Sequence, residues 1–194
     1  MKRERIGFAF CGSFCTHQSV LQAYLRLADT YEQIVPILSE HAASIDTRFG
    51  TAEHFLREIE TAAGRPAIRT LAEAEPIGPK KLLDLLIIAP CTGNTLAKLA
   101  HGVTDSVVTL AAKAHLRNNG PILLALATND ALAGNAENIG KLLARRNYFF
   151  VPLRQDDPVG KPCSLVADMT KIEEAAQAAL QGRQLQPLLL GPAG

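Results

Sequence analysis

Four short stretches place small, hydroxyl and amide side chains directly after apolar runs: "CGSFCTHQS" (11–19), "SEHAASIDTRFG" (39–50), "APCTGNT" (89–95) and "LATNDAL" (126–132). The third is the richest. Pro90 cannot continue a β-ladder and ends its strand, and Cys91, Thr92, Gly93, Asn94 and Thr95 then run into the helical pattern "LAKLA". At such a junction, N–H groups of a helix start and short polar side chains converge on one point. That nest suits a phosphate or the polar edge of a heterocycle; an N-cap by Thr92 or Asn94 is the plainer use of the same residues. In the first stretch Gly12 permits a tight turn, Ser13 adds a hydroxyl, and the next helix start can cradle an anion. It lacks the GxGxxG spacing of a nicotinamide-dinucleotide turn, and an ordinary turn capped by Ser13 or Thr16 needs nothing more. Ser39 ends another apolar run, where it can meet a ligand or form a turn. Arg48 in "TRFG" offers either a guanidinium fork for a carboxylate or a solvated surface charge. Thr128 and Asn129 supply a hydroxyl and an amide, or a helix cap.

Strands alternating with helices must bring these junctions together. Strands are expected at 5–11, 33–38, 66–71, 82–90, 121–127 and 148–153, the last closing the sheet. Helices are expected over 16–31, 51–64, 94–102, 104–120, the second half of 131–146, and 168–182. In the first of these, Val20, Leu21, Tyr24, Leu25, Leu27 and Ala28 recur at helical spacing. The run 82–90 is apolar at nearly every position, as in parallel strands covered on both faces. The pattern predicts one α/β domain over 1–194, a doubly wound parallel sheet with helices on both faces. In such sheets ligands bind outside the carboxyl ends of the strands, where the four polar stretches fall. Residues 154–167 read as a loop able to fold over the site as a lid, or as plain surface. Residues 185–194 read as a loosely attached tail whose three leucines can dock on a neighbour.

Composition removes several classes of function. Of the 194 residues 47% are hydrophobic and 20% charged, which describes a globular chain, and the net charge of +1 leaves no nucleic-acid footprint. The longest apolar run is interrupted by Asp84 and is too short to cross a membrane. With no signal-peptide cleavage pattern, a cytoplasmic location is expected. The four cysteines show no disulfide spacing; Cys11, Cys15 and His17 crowd together but make no complete ligand set, so no metal is expected.

Taken together, the four stretches resemble the homo-oligomeric flavin-containing Cys decarboxylase-like flavoproteins, which have a Rossmann-like fold. That family carries a Pro-Ala-Ser-Ala-Asn-Thr motif. Here Pro90, Asn94 and Thr95 match it, while Cys91, Thr92 and Gly93 stand for Ala, Ser and Ala. A second family motif, Pro-x-Met-Asn-x-x-Met, is matched loosely through Asn129 in "LATNDAL". The resemblance implies FMN, with its phosphate near Ser13 and residues 92–95 and its isoalloxazine near Ser39 and Asn129; Gly12, Pro90, Cys91 and Thr128 are further expected cofactor contacts. Asp105 corresponds to a family position beside that nest; first-turn helix charge is its other reading. One departure matters. The decarboxylases carry a histidine fourteen residues before the motif proline, and Pro76 stands there.

The whole chain is similar to one branch of that family, the B-type subunits of dipicolinate synthases of spore-forming bacteria. The segments "TRFG", "AEPIGPK", "IAPCTGNTLAKLA", "QDDPVGKPCSLVADM" and "LQPLLL" carry this likeness. It implies oxidation of a hydroxy-tetrahydrodipicolinate-derived precursor to pyridine-2,6-dicarboxylate during sporulation. It also implies an A-type partner that binds NAD(P), and homo-oligomers that are trimers or their multiples. A dianionic substrate needs cations, for which Arg48, Lys161 and Lys113 are candidates. Asp156 and Asp157 are candidate bases, with nothing to choose between them, so the catalytic residue stays unassigned. Two rival roles are a non-catalytic scaffold for the A-type partner and an FMN-dependent decarboxylase.

Overall fold

The central strand of the sheet is the run LLIIAPC, buried along its whole length. The computed structural model describes residues 1–48 and 50–191, and of Phe14 only the backbone. In chain order its elements are β1 (Lys2–Phe10), α1 (His17–Thr30), β2 (Tyr31–Leu38), α2 (Glu40–Ser44), α3 (Ala52–Ala63) and α4 (Leu71–Ala74). Then follow β3 (Leu85–Cys91), α5 (Gly93–His101), α6 (Val107–Leu116), β4 (Ile122–Thr128) and α7 (Ala136–Leu143). The chain ends with β5 (Tyr148–Phe150), β6 (Leu153–Arg154), β7 (Leu165–Ala167) and α8 (Ile172–Leu180).

The strand order is β2-β1-β3-β4-β7-β6, with β5 also on β4. β1 lies parallel between β2 and β3, in register Ile6↔Ile34 and Ile6↔Leu85, and β4 lies parallel to β3. Helices α1, α3 and α8 make one layer and α5, α6 and α7 the other, so the apolar strands are covered on both faces. Under α1 the core is aromatic: Tyr24 meets Phe8 edge-on at 5.1 Å, and Phe10 meets Phe55 at 5.1 Å. The Tyr24 hydroxyl donates to the Ile59 carbonyl of α3 at 2.8 Å, which satisfies the buried hydroxyl and ties α1 to α3.

The doubly wound core stands as expected, and its margins differ. Residues 66–71 form no strand. Pro66 offers no N–H, Ile68 makes a single bridge to Ile37, and Thr70 turns the chain into α4 through a capping box with Glu73. The expected closing strand 148–153 breaks at Val151 and Pro152 into β5, parallel to β4, and β6. Within the expected loop 154–167, residues 165–167 are β7, antiparallel to the end of β4 through Ala127↔Val166 and Thr128↔Leu165. The sheet is therefore mixed rather than wholly parallel. The tail is tied down: Leu153 donates to the Leu188 carbonyl and Leu190 donates to the Leu153 carbonyl, both at 2.8 Å. Residues 192–194 of that segment lie outside the described residues. No helix among the described residues is long and apolar enough to cross a membrane.

Tyr24→Phe removes the buried hydrogen bond to the Ile59 carbonyl, which keeps its helical bond within α3. It is expected to lower unfolding stability by about 1–2 kcal/mol in urea denaturation, with the m-value unchanged.

Candidate functional site

A cleft of about 770 Å³ opens at the carboxyl ends of β1, β2 and β3. Its floor is the β3–α5 junction. Thr92 has extended backbone and caps α5, its hydroxyl oxygen accepting from the Thr95 N–H at 3.2 Å. The Thr92 hydroxyl in turn donates to Thr95 Oγ1 at 3.1 Å, and the Thr95 hydroxyl donates to Cys11 Sγ at 3.4 Å. This hydroxyl chain joins the end of β3 to the end of β1. Burial pushes the Cys11 thiol up to about 11, against the pull of the Thr95 hydrogen bond, so Cys11 stays neutral around pH 7.

Three more helix starts face the same space. Ser39 caps α2, Thr70 caps α4, and Ser106 caps α6 through reciprocal bonds with Thr109. α5 and α6 are long enough for the partial positive charge of their N-termini to matter. Of the charged residues in the wall, Lys98 and Asp105 pair at 2.8 Å, and this bond holds the Asp105 carboxyl below its ordinary range. Glu40 and Arg69 are the remaining charged residues, and His41 lies beside them.

The position of α5 is fixed at both ends. At its start, a Cβ on Gly93 would lie 2.6 Å from both Thr128 Oγ1 and Asn135 Nδ2, so only glycine permits this approach. The Thr128 hydroxyl donates to Asp130, and Asn135 donates to both Asp130 oxygens at 2.8 and 2.9 Å. Asn138 extends the chain from Asn135 to His101 at the end of α5. The helix stops at Gly102 in the left-handed region, φ 72°. Arg145 adds bonds to the Leu99 and Ala100 carbonyls at 3.1 and 2.7 Å.

Gly12, Ser39, Thr92, Asn94, Thr95 and Asp105 share the cleft wall. Other expected contacts lie elsewhere. Pro90 and Cys91 are part of the buried strand β3, where burial drives the Cys91 thiol well above its usual range. Gly93 and Thr128 pack against each other behind the wall, and Asn129 is exposed in the turn after β4. Ser13 sits in the turn after β1, its carbonyl accepting from the Thr16 hydroxyl at 2.8 Å. Arg48 belongs to the loop whose Thr47 and Gly50 line a second cavity of about 480 Å³ between α1 and α3. Lys161 pairs with Asp156 at 3.2 Å inside the 154–164 loop, and Lys113 is exposed on α6. The two carboxylates that the sequence offers as bases serve that loop's own structure. Asp156 accepts from the Ser164 hydroxyl at 2.6 Å, and Asp157 accepts from the Gly160 N–H at 2.8 Å.

His17 Nε2 lies 2.7 Å from the Cys11 carbonyl, and its ring stacks on Phe55; burial lowers its pKa, so the ring is neutral and donates to that carbonyl. Among the described residues no three His, Cys, Asp or Glu side chains are grouped to hold a metal. Sequence reading missed Arg69, Thr70, Lys98 and Ser106 as cleft residues. For Ser106 the signal was present in its place three residues before Thr109, a hydroxyl variant of the capping box.

A model of the family described as Flavoprotein matches residues 2–181. The chain is 43% identical to the dipicolinate synthase B subunit of Bacillus subtilis over 190 residues, 98% of this chain and 95% of that one. The crystal structure of the dipicolinate synthase B subunit from Bacillus halodurans superposes with a TM-score of 0.90 at 40% identity, covering 98% of this chain and 97% of that one. Burkholderia xenovorans DmrB in complex with FMN shares the fold at a TM-score of 0.62 and 20% identity, over 81% of this chain and 91% of that one.

Gly93→Ala forces a methyl onto the Thr128–Asn135 contact. It is expected to cost about 1–3 kcal/mol of stability, measured by denaturant titration, while Gly140→Ala, in open space on α7, costs nothing measurable.

Proposed function

We propose, from the premise that this chain belongs to the Flavoprotein family, that it is the FMN-binding B-type subunit of a dipicolinate synthase. The observation that carries the reading is the convergence of the α5 and α6 starts, with Thr92, Asn94 and Thr95, on one cleft. This donor set fits a phosphorylated group. The first N–H groups of the helix starts and the Asn94 amide give directed donors, and the neutral Cys11 thiol beneath them adds no opposing charge. Ser39 and Thr70 on the facing wall offer polar contacts, and Ile45 and Leu71 offer apolar surface for a ring. Among the related dipicolinate synthases the name of this component implies a second one. The reading extends to an A-type partner that binds NAD(P), a trimer-based assembly and a cytoplasmic role in sporulation.

The reaction removes water and two hydrogens from a hydroxy-tetrahydropyridine dicarboxylate, which aromatises the ring. Bound FMN would supply the two-electron acceptor. The residues of this chain would then have three tasks. The α5 start and Asn94 would hold the phosphate, with Thr92 and Thr95 fixing that start through their own hydrogen bonds. The pinning of α5 by Gly93, Arg145 and the Asn135–Asn138–His101 chain would keep that anchor from shifting. The wall opposite would orient the dicarboxylate. A decarboxylase role has less support: the position of that class's histidine holds Pro76, which carries no proton to transfer.

Titration of the purified protein with FMN, read by visible absorbance and flavin fluorescence, tests the reading. Stoichiometric binding is expected, and Asn94→Asp, which sets a carboxylate in the nest, is expected to weaken it at least about tenfold. Failure of the wild type to take up FMN would overturn the reading in favour of a scaffold role.

A further inference from the structure

We infer that Arg69 is the residue that recognises a carboxylate of the substrate, an inference that rests on the proposed oxidation of a cyclic dicarboxylate. Arg69 lies in the cleft wall, facing the same space as Ser39, Asn94 and Thr95. Its side chain is exposed and makes no ion pair among the described residues, whereas Lys98, the other strong cation in the wall, is neutralised by Asp105 at 2.8 Å. The acid nearest along the chain, Glu73, feels the Arg69 charge but spends its carboxylate on backbone N–H groups rather than on the guanidinium. The Arg69 fork is thus left for a ligand.

The backbone holding it is fixed. On one side Ile68 is built onto the sheet edge, donating to the Pro36 carbonyl and accepting from the Leu38 N–H, both at 2.9 Å. On the other side the Arg69 and Thr70 N–H groups both donate to Glu73 Oε2, at 2.8 and 3.0 Å. An arginine whose guanidinium is not paired, carried on backbone anchored before and after it, is arranged to meet something external. A planar fork of N–H donors matches a carboxylate, and fixing its base lowers the entropy lost on binding.

Glu40, at the start of α2, shares this wall and makes no ion pair among the described residues. Its charge opposes an anionic ligand, and this gives the inference a test with two signs. A purely structural role for either residue would not produce opposite effects.

The probe is pyridine-2,6-dicarboxylate, titrated calorimetrically in metal-free buffer into the full-length protein saturated with FMN, with FMN affinity measured separately. Arg69→Gln is expected to weaken dicarboxylate binding about 10- to 100-fold and Arg69→Lys less, because lysine keeps the charge but not the fork. Glu40→Gln is expected to tighten it, and FMN affinity is expected to stay within about twofold in all three variants. Equal dicarboxylate affinity in wild type and Arg69→Gln overturns the inference and leaves the flavin reading intact. So does a wild type that binds FMN but no dicarboxylate. Loss of FMN affinity in Arg69→Gln overturns it as well, by giving the guanidinium to the cofactor. A wild type that binds neither compound overturns the flavin reading and the inference with it.

Discussion

The contact between Gly93 and the Thr128–Asp130–Asn135 cluster is the constraint on which the site depends. It places the start of α5 directly against the end of β4, nearer than any side chain at residue 93 would permit. From that fixed point the Thr92 cap and the Thr95 hydroxyl reach across to Cys11 at the end of β1. Three strand ends are thereby joined through one helix start. A nest of N–H donors is useful only if its donors do not move when charge arrives, and here the surrounding hydrogen bonds supply that stiffness.

The polar groups behind the wall are as important as those in it. Asn135 and Asn138 are buried, and each would be costly there without partners; the chain from Asp130 to His101 satisfies them in sequence. The same chain links α7 to both ends of α5. Arg145 performs a related task at the helix end, donating to the Ala100 carbonyl and to the Leu99 carbonyl, which also accepts from the Gly102 N–H. The family motif has alanine where Gly93 stands, and the cluster explains the exchange: the space of a methyl group is taken by Thr128 and Asn135. Sequence and packing agree at this position.

Much of this was legible in the sequence because period and punctuation agree. The near-continuous apolar run 82–90 identified a parallel strand covered on both faces, but Pro90 does not end it: the strand continues to Cys91, which pairs with Leu126 of β4. What the sequence did not disclose was direction and company. A strand end exposes alternate residues, so Cys91 and Thr92 part ways, one into the core and the other into the cleft. Thr128 looked free for a ligand because its neighbour Asn135 is on another element. Arg69 was hidden inside a stretch read as a strand, since a single bridge at Ile68 and a capping box imitate strand spacing. The three-residue strand β7, bounded by a Pro- and Gly-containing loop, is shorter than any periodicity can reveal.

The decisive measurement is a crystal structure of the protein soaked or co-crystallised with FMN. Phosphate density is expected at the start of α5, within hydrogen-bonding distance of Asn94, with the ring running toward Ser39 and Arg69. Phosphate density in the cavity between α1 and α3, or anywhere outside the cleft at the ends of β1, β2 and β3, would show that the α5 nest is not the cofactor's anchor.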